Sequence, residues 1–344
     1  MAAHNHYNLH FPLIVASILA LLFPAVSAIP SKSLSSIVKE LNEEGPYIGL
    51  ITVYPPEENA FFSTNSFKPH PTHPYVDLSG RRFRAGKVEG KKVIYVRCGI
   101  GMVNAAAATQ QMLDLFDVTG VVHFGIAGNA NNSLSIGDVS IPRQLAQTGV
   151  WDWLNPNSTV PASDAAVLEI ERYNVPEGGS NELGRIGYIP EEDPSNAQRT
   201  IWFNTSKHWL RLASNLQGVK LERCVNSSVC LSQQPKLFVG LKGSTSNIFI
   251  DNAAYREFLF QSFGISSVDM ESAAVVKASM NVNIIVTSVS NGFPVIVIRG
   301  LSDLAGAQRG ENVIGLFGPL AAINTANVVN QFVKSLPPDT TAGN

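Results

Sequence analysis

Apolar and polar residues follow one another along this chain in the pattern of strands that alternate with helices. Tyr47–Val53 and Pro294–Arg299 are continuous apolar runs, which are typical of buried strands. Val103–Phe116 and Ser272–Met280 are Ala-rich, with apolar residues at helical spacing, and Gly315–Ser335 has the pattern of an amphipathic helix. This alternation predicts an α/β fold with a largely buried sheet.

A predicted hairpin makes that sheet mixed rather than purely parallel. Arg82–Val88 and Lys92–Cys98 have strand patterns, and Glu89-Gly90 between them is suited to a tight turn. Val118–Phe124 is a further β-branched run, which we expect to end at Gly125.

No internal repeat and no linker divides the chain. We therefore predict a single-domain, three-layer α/β architecture with a mixed central sheet over residues 29–344. The region around residues 151–234 is rich in Asn, Ser, Pro and Glu, and we predict that it is a long polar insertion.

Residues 1–28 have the pattern of a secretory signal peptide. Phe11–Val26 is apolar and uncharged but shorter than the roughly 20 residues of a spanning helix, and Val26-Ser27-Ala28 supplies small residues before a cleavage site. We predict cleavage after Ala28 and no membrane attachment of the mature chain, with an uncleaved anchor as the alternative. The destination is then the vacuole or the extracellular space. Four N-glycosylation sequons begin at Asn131, Asn157, Asn204 and Asn226.

Charge and cysteine content exclude several classes of partner. The formal net charge of −2 gives no electrostatic basis for binding nucleic acid or an anionic membrane. The three cysteines have no zinc-type spacing, so we expect no metal site.

Cys98 lies in an apolar run and is predicted to be a buried thiol. Cys224 and Cys230 flank a short polar loop and could pair in an oxidising compartment.

Two strand ends carry acidic residues suited to catalysis. Asp303 follows the apolar run that ends at Arg299, and a partly desolvated carboxyl there can hold a proton for a departing group. The alternative is that Asp303 caps the next segment. Glu271 begins an Ala-rich helix, where it could hold the two hydroxyls of a sugar or simply stabilise the helix N-terminus.

Two further strand ends are rich in glycine or glutamate. Gly99-Ile100-Gly101 and Gly125-Ile126-Ala127-Gly128 allow a ligand to approach the backbone, although tight turns would need the same glycines. Glu57 and Glu58 follow the first strand, where a carboxylate could activate water or lie on a solvated helix start.

Taken in order, these segments resemble the superfamily of nucleoside phosphorylases and methylthioadenosine/S-adenosylhomocysteine nucleosidases. The matching segments are Cys98–Ala106, Phe124–Gly128 with Gly137–Val139, Val268–Ala274 and Arg299–Asp303. The resemblance is strongest to the plant branch, which includes bark storage proteins, wound-inducible proteins and phosphorylases of cytokinin ribosides. It implies a mixed sheet flanked by helices and assembly into a homo-oligomer.

The resemblance also implies a role for each matching residue. Asp303 would protonate the leaving purine nitrogen, with Ser302 steadying it. Glu271 would hold the ribose hydroxyls, and Met270 would pack beneath the sugar. The remaining implied substrate contacts are Phe249, Ile250, Gly101 and Gly125.

The sequence leaves two candidates for the nucleophile, water and phosphate. The carboxylate that activates water in the nucleosidases would be Glu58, with Glu57 as the alternative. Phosphorylases place arginines where this chain has Pro56-Glu57 and His123, so the usual phosphate clamp is missing. The candidates to replace this clamp are Arg81, Arg82, Arg97 and His123. Both water and inorganic phosphate therefore stay open as co-substrates, and no other cofactor is expected.

The sequence thus predicts an enzyme that cleaves the N-glycosidic bond of purine-type nucleosides, with cytokinin ribosides among the candidate substrates. Its partner would be a small-molecule nucleoside. The alternative is a vegetative storage protein that keeps the fold with little or no catalysis. A third hypothesis is a protein that binds a nucleoside without cleaving it.

Overall fold

The computed structural model describes residues 33–170, 184–192, 199–216, 218–280, 293–306 and 313–337. The predicted signal peptide lies outside these residues. None of the helices in this described part of the chain is both long and apolar enough to cross a membrane.

The described residues form seven helices and eighteen strands. The helices are α1 Leu34–Glu44, α2 Pro55–Ser63, α3 Met102–Leu115, α4 Lys207–Ser214, α5 Ala253–Phe263, α6 Ser272–Met280 and α7 Ile314–Ser335. The strands are β1 Tyr47–Thr52, β2 Phe67–Pro69, β3 Tyr75–Leu78, β4 Arg81–Val88, β5 Lys91–Arg97, β6 Val118–Asn129, β7 Val139–Ile141, β8 Gln144–Gln147, β9 Trp151–Leu154, β10 Ala166–Glu169, β11 Arg185–Tyr188, β12 Glu191–Glu192, β13 Arg199–Thr200, β14 Trp202–Asn204, β15 Leu237–Val239, β16 Lys242–Thr245, β17 Ser267–Asp269 and β18 Val295–Leu304.

Thirteen of the described strands form one mixed sheet, which confirms the predicted fold class. Its main order is β14-β8-β16-β17-β6-β1-β5-β4-β2, with β3, β7, β15 and β18 attached at its sides. β1 runs parallel to both β5 and β6, and β18 runs parallel to β6. β4 and β17 run antiparallel to their neighbours β5 and β6.

Both faces of this sheet are covered, which explains the continuous apolar runs. In β1, Ile51 packs into a core shared with α3 and α6, whereas Ile48 and Leu50 pack into a second core shared with α2 and α7. Successive side chains of a strand point to opposite faces, so a strand buried on both faces needs apolar residues at every position.

The predicted hairpin and helices are confirmed, most of them to within a residue or two. β4 and β5 pair antiparallel around Glu89 and Gly90, which both have positive φ (49° and 83°), as a tight hairpin turn requires. α3, α6 and α7 match their predicted ranges at both ends to within one residue. These elements depend mainly on local sequence.

Two strands are longer than their patterns predicted. β6 does not end at Gly125 but continues to Asn129, because its last residues pair with β18 on one side and β17 on the other. β18 likewise continues to Leu304, so Asp303 lies within the strand rather than after it, at a register shift. In both places the pairing partners come from distant parts of the chain.

The polar region around residues 151–234 contains ordered structure within its described residues. β9, β10 and β11 form a separate antiparallel sheet, and α4 packs on the core through Trp209. Cys224 and Cys230 form a disulfide, and Cys98 is a buried free thiol as predicted.

Gly300→Ala is expected to destabilise the protein by about 1–3 kcal/mol, because a methyl group there would clash with Ala321 O and Thr325 Oγ1 of α7. Gly315→Ala is the matched control, since a methyl group at Gly315 meets no atom within 4 Å. Urea unfolding of both variants measures the difference. Equal stability of the two variants would contradict the close contact between β18 and α7.

Candidate functional site

A pocket of about 220 Å³ lies at the carboxyl ends of β1, β6 and β18, where ligands of α/β proteins commonly bind. Six residues predicted to form the site line it, namely Asp303, Ser302, Glu271, Met270, Phe249 and Ile250. Among the described residues, no group of three or more His, Cys, Asp or Glu side chains could hold a metal ion.

The structure corrects the choice between the two adjacent glutamates. Glu57, not Glu58, lines the pocket. Glu58 points to a separate cavity, where its carboxylate lies 3.2 Å from Arg97 Nη1 and 3.7 Å from Arg84 Nε. Both residues lie on α2, and consecutive residues of a helix point about 100° apart, so only one of them can face the pocket.

The Glu57 carboxylate is buried and held by backbone donors from two elements. Its Oε2 accepts hydrogen bonds from Val53 N (2.7 Å) and Tyr54 N (3.3 Å), and its Oε1 accepts one from Ile126 N (2.8 Å). Burial raises the pKa of Glu57 above its ordinary value, even though these donors and the nearby Arg299 favour the charged form. Glu57 is therefore a fixed, basic carboxylate at the end of β1.

Glu271 is a second buried carboxylate at the pocket wall. Its Oε1 accepts a hydrogen bond from Gly101 N (2.8 Å), and its Oε2 lies 3.7 Å from Arg299 Nη2. Burial is the main reason that the pKa of Glu271 rises to about 7, and the attraction of Arg299 limits the rise. Glu271 can thus change its protonation state near neutral pH.

The two predicted glycine contacts lie behind the carboxylates instead of in the pocket wall. Gly101 has a φ of 96° and presents its N–H to Glu271. A methyl group at Gly125 would clash with the Glu57 carboxylate and with Arg299. Both glycines therefore allow the acidic side chains to pack against the backbone, and neither is among the lining residues.

Asp303 and Ser302 lie next to each other at the end of β18. The Ser302 hydroxyl is 2.6 Å from Asp303 Oδ1 and 3.2 Å from Ala127 O. Both side chains are buried, with Asp303 only 3% exposed. The Ser302 hydroxyl thereby fixes the direction in which the Asp303 carboxyl faces the pocket.

Arg299 is fully buried and connects the acidic residues, a role that the sequence did not indicate. Its Nε donates to Asp269 Oδ2 and to Ser272 Oγ, both at 3.1 Å. Asp269 also accepts hydrogen bonds from Thr245 Oγ1 and from the N–H groups of Glu271 and Ser272. Although burial raises the pKa of Asp269, Arg299 and these donors outweigh it, so the pKa is lowered.

His123 does not replace the missing phosphate clamp. It is fully buried and is not a lining residue of the pocket. Its Nε2 accepts from Arg299 Nη2, so its Nδ1 carries the proton and donates to Ile51 O (3.1 Å). Burial, with Arg299, lowers the pKa of His123 to about 3, and the ring is therefore neutral. The other candidates, Arg81, Arg82 and Arg97, line the separate cavity with Glu58.

The rest of the pocket is apolar. Phe249 is 57% exposed at its rim, whereas Ile250 is buried. Met270 lies between Asp269 and Glu271 in the wall, and Ile126 and Tyr54 complete it near Glu57. Burial raises the pKa of Tyr54 to about 12, so its phenol stays protonated. One side of the pocket can thus hold a flat apolar ring, and the other side is acidic.

Comparisons with known proteins identify the family and the fold of the chain. Residues 47–334 match the family model of the phosphorylase superfamily. Bark storage protein A of Populus deltoides is 32% identical over 295 residues, covering 84% of this chain and 89% of that protein. A 5′-methylthioadenosine/S-adenosylhomocysteine nucleosidase of Chromohalobacter salexigens is 26% identical over 259 residues (75% and 86%). The structure of futalosine hydrolase of Helicobacter pylori has the same fold, with a TM-score of 0.58 at 21% identity (86% and 100%).

Glu271→Gln is expected to reduce the loss of stability that occurs as the pH rises. The pKa of Glu271 in the folded chain, about 7, lies above its ordinary value of 4.5. Its contribution to stability is therefore fully present below pH 4.5 and is lost as the pH rises through 7, by about 3 kcal/mol.

Urea unfolding of both proteins at the two ends of this range measures the effect. Glu43→Gln, at an exposed position of α1, is the control and should follow the wild type. If Glu271→Gln and the wild type lost equal stability, the buried carboxyl would not have the raised pKa.

Proposed function

Because the chain belongs to the phosphorylase superfamily, we propose that this pocket hydrolyses the N-glycosidic bond of a purine-type nucleoside. The observation that carries the proposal is the negative charge of the residues that line the pocket. Glu57, Asp269, Glu271 and Asp303 line it, and none of its described lining residues is Lys, Arg or His.

This charge favours water over phosphate as the nucleophile. A phosphate anion would have to enter beside several carboxylates without a cation among the described wall residues, whereas water has no charge to be repelled. Arg299, a cation among the described residues near the pocket, is buried behind the wall and already pairs with Asp269. Cleavage of a glycosidic bond also develops positive charge on the sugar, and an acidic wall stabilises that charge.

Each acidic residue has a position suited to one step. Asp303, oriented by Ser302, gives a proton to the base nitrogen as the bond from the sugar to the base breaks. Glu57 takes a proton from water as the new carbon–oxygen bond forms at the sugar. Its raised pKa makes it a stronger base once it is ionised. Glu271 accepts hydrogen bonds from the sugar hydroxyls, and Met270 packs beneath the ring.

The apolar side of the pocket and the relatives support the proposed substrate class. Phe249 and Ile250 provide a surface for a flat base. The nucleosidase relative is named for two substrates that contain adenosine. We therefore propose that the substrate is an adenine or related purine nucleoside, with cytokinin ribosides as candidates. Water is the proposed co-substrate, and no cofactor is proposed.

Storage is the second candidate function, because the bark storage protein of Populus deltoides is 32% identical to this chain. One observation argues against storage as the sole function. A protein that serves only as a nitrogen store does not need four carboxylates in one pocket. Burying such groups costs free energy unless they are paired.

We further propose that the chain forms a homo-oligomer and enters the secretory pathway. Ile100, Val103 and Phe249 expose apolar surface near the pocket, which a second copy would cover. The Cys224–Cys230 disulfide and the exposed sequon at Asn157 suit an oxidising compartment. Light scattering of the purified protein and a glycosidase mobility shift test these two points. A monomer, or a chain without glycan when expressed in plant cells, would contradict them.

The central test measures base release from purine and cytokinin ribosides, with and without phosphate, using purified mature protein. We expect release that does not depend on phosphate. Glu57→Gln and Asp303→Asn should each reduce kcat by about 10²-fold or more, the usual contribution of a general acid or base. The control variant is Glu58→Gln, one residue along α2. It should cleave nucleosides at the wild-type rate.

The opposite pattern would identify another function. Release that requires phosphate would reject hydrolysis, and full activity of Glu57→Gln would reject Glu57 as the base. Folded protein that releases no base from any riboside would leave storage as the function. Circular dichroism of each variant separates a catalytic defect from unfolding.

A further inference from the structure

A second cavity, lined by Arg81, Arg82, Arg84 and Arg97 with two carboxylates, lies apart from the nucleoside pocket. Arg84 pairs with Tyr95 across β4 and β5, and Arg97 lies two residues beyond Tyr95, so both arginines are on one face of the sheet. Glu58 of α2 lies against the same two arginines. The two cavities share no lining residue.

The carboxylates neutralise only part of the positive charge in this cavity. Asp77 forms a bidentate pair with Arg82 at 2.8 and 2.7 Å, and the Arg82 guanidinium also lies 4.1 Å above the Tyr75 ring. Glu58 is shared between Arg84 and Arg97. Within the described residues, Arg81 has no carboxylate within 4 Å. The cavity thus contains four guanidinium groups and two carboxylates, which gives it a net charge of +2.

Two of the guanidinium groups also have a buried donor without a partner. The Nε atoms of Arg81 and Arg84 are inaccessible to solvent and make no hydrogen bond. The Glu58 carboxylate, 3.7 Å from Arg84 Nε, is too far away for a hydrogen bond. A buried N–H without an acceptor is costly, so the protein alone leaves the guanidinium groups of Arg81 and Arg84 incompletely satisfied.

We propose that this arginine cavity binds a phosphate group, either as inorganic phosphate or as a phosphate monoester. Its excess of two positive charges matches the charge of a phosphate dianion. Planar guanidinium groups bind phosphate oxygens with two parallel hydrogen bonds, and Arg82 is already held in place by Asp77 and Tyr75. Arg81 and Arg84 supply the donors, and Glu58 competes with the ligand for Arg84 and Arg97.

Calorimetric titration of the purified protein with inorganic phosphate, and separately with O-phosphoserine, tests this site in dilute chloride buffer without any nucleoside. We expect saturable binding that Arg84→Gln weakens by at least about tenfold. Arg211→Gln, an exposed arginine on α4, is the control and should bind as the wild type does. Tighter binding of the monoester would identify a phosphate ester as the ligand, and tighter binding of phosphate would identify the free ion.

Glu58→Gln supplies a gain-of-function test that misfolding cannot imitate. Removing this competing carboxylate should strengthen phosphate binding several-fold. The absence of binding, or equal affinity in the wild type, Arg84→Gln and Glu58→Gln, would overturn the proposal. Displacement of phosphate by adenosine would also overturn it, because it would place the anion in the nucleoside pocket. The titration needs no turnover, so its outcome is independent of the hydrolysis assay.

Discussion

The buried ion pair between Arg299 and Asp269 is the interaction on which the rest of the site depends. A guanidinium group that is buried from solvent must be paired. Its partners come from two segments distant in sequence, His123 and Ile126 O on β6 and Asp269 and Ser272 where β17 meets α6. This pairing fixes the end of β18 against β6 and β17. The carboxylates of Glu57 and Glu271 then lie close enough to Arg299 to be held without exposure to solvent.

Charge divides this end of the molecule into two sites of opposite sign. The pocket proposed for the nucleoside has an acidic wall, and the arginine cavity has an excess of positive charge. Glu57 and Glu58 are adjacent on α2, yet each belongs to a different site, because a helix turns by about 100° per residue. An anion and a nucleoside would therefore be attracted to different cavities on the two sides of one short helix.

This division bears on the relationship between the storage proteins and the nucleosidases. The chain is more similar to bark storage protein A than to the nucleosidase of Chromohalobacter salexigens, at 32% against 26% identity. Its pocket nevertheless contains the buried carboxylates that the proposed hydrolysis would use. Such groups are held at a cost in stability, since burial raises the pKa of both Glu57 and Glu271. A pocket with these properties is easier to understand as a working site than as a remnant.

The sequence by itself determined the elements whose structure is local. The turn at Glu89-Gly90, the Ala-rich helices and the apolar runs follow from backbone preferences and from periodicity, and the order of the motifs indicated Asp303, Ser302 and Glu271 as site residues. Only the tertiary structure decided what depends on distant partners. Pairing with β17 and β18 extended β6 beyond Gly125, and the orientation of α2 chose Glu57 over Glu58. The role of Arg299 and the arginine cavity also depend on side chains that meet only after folding, which spacing along the chain does not encode.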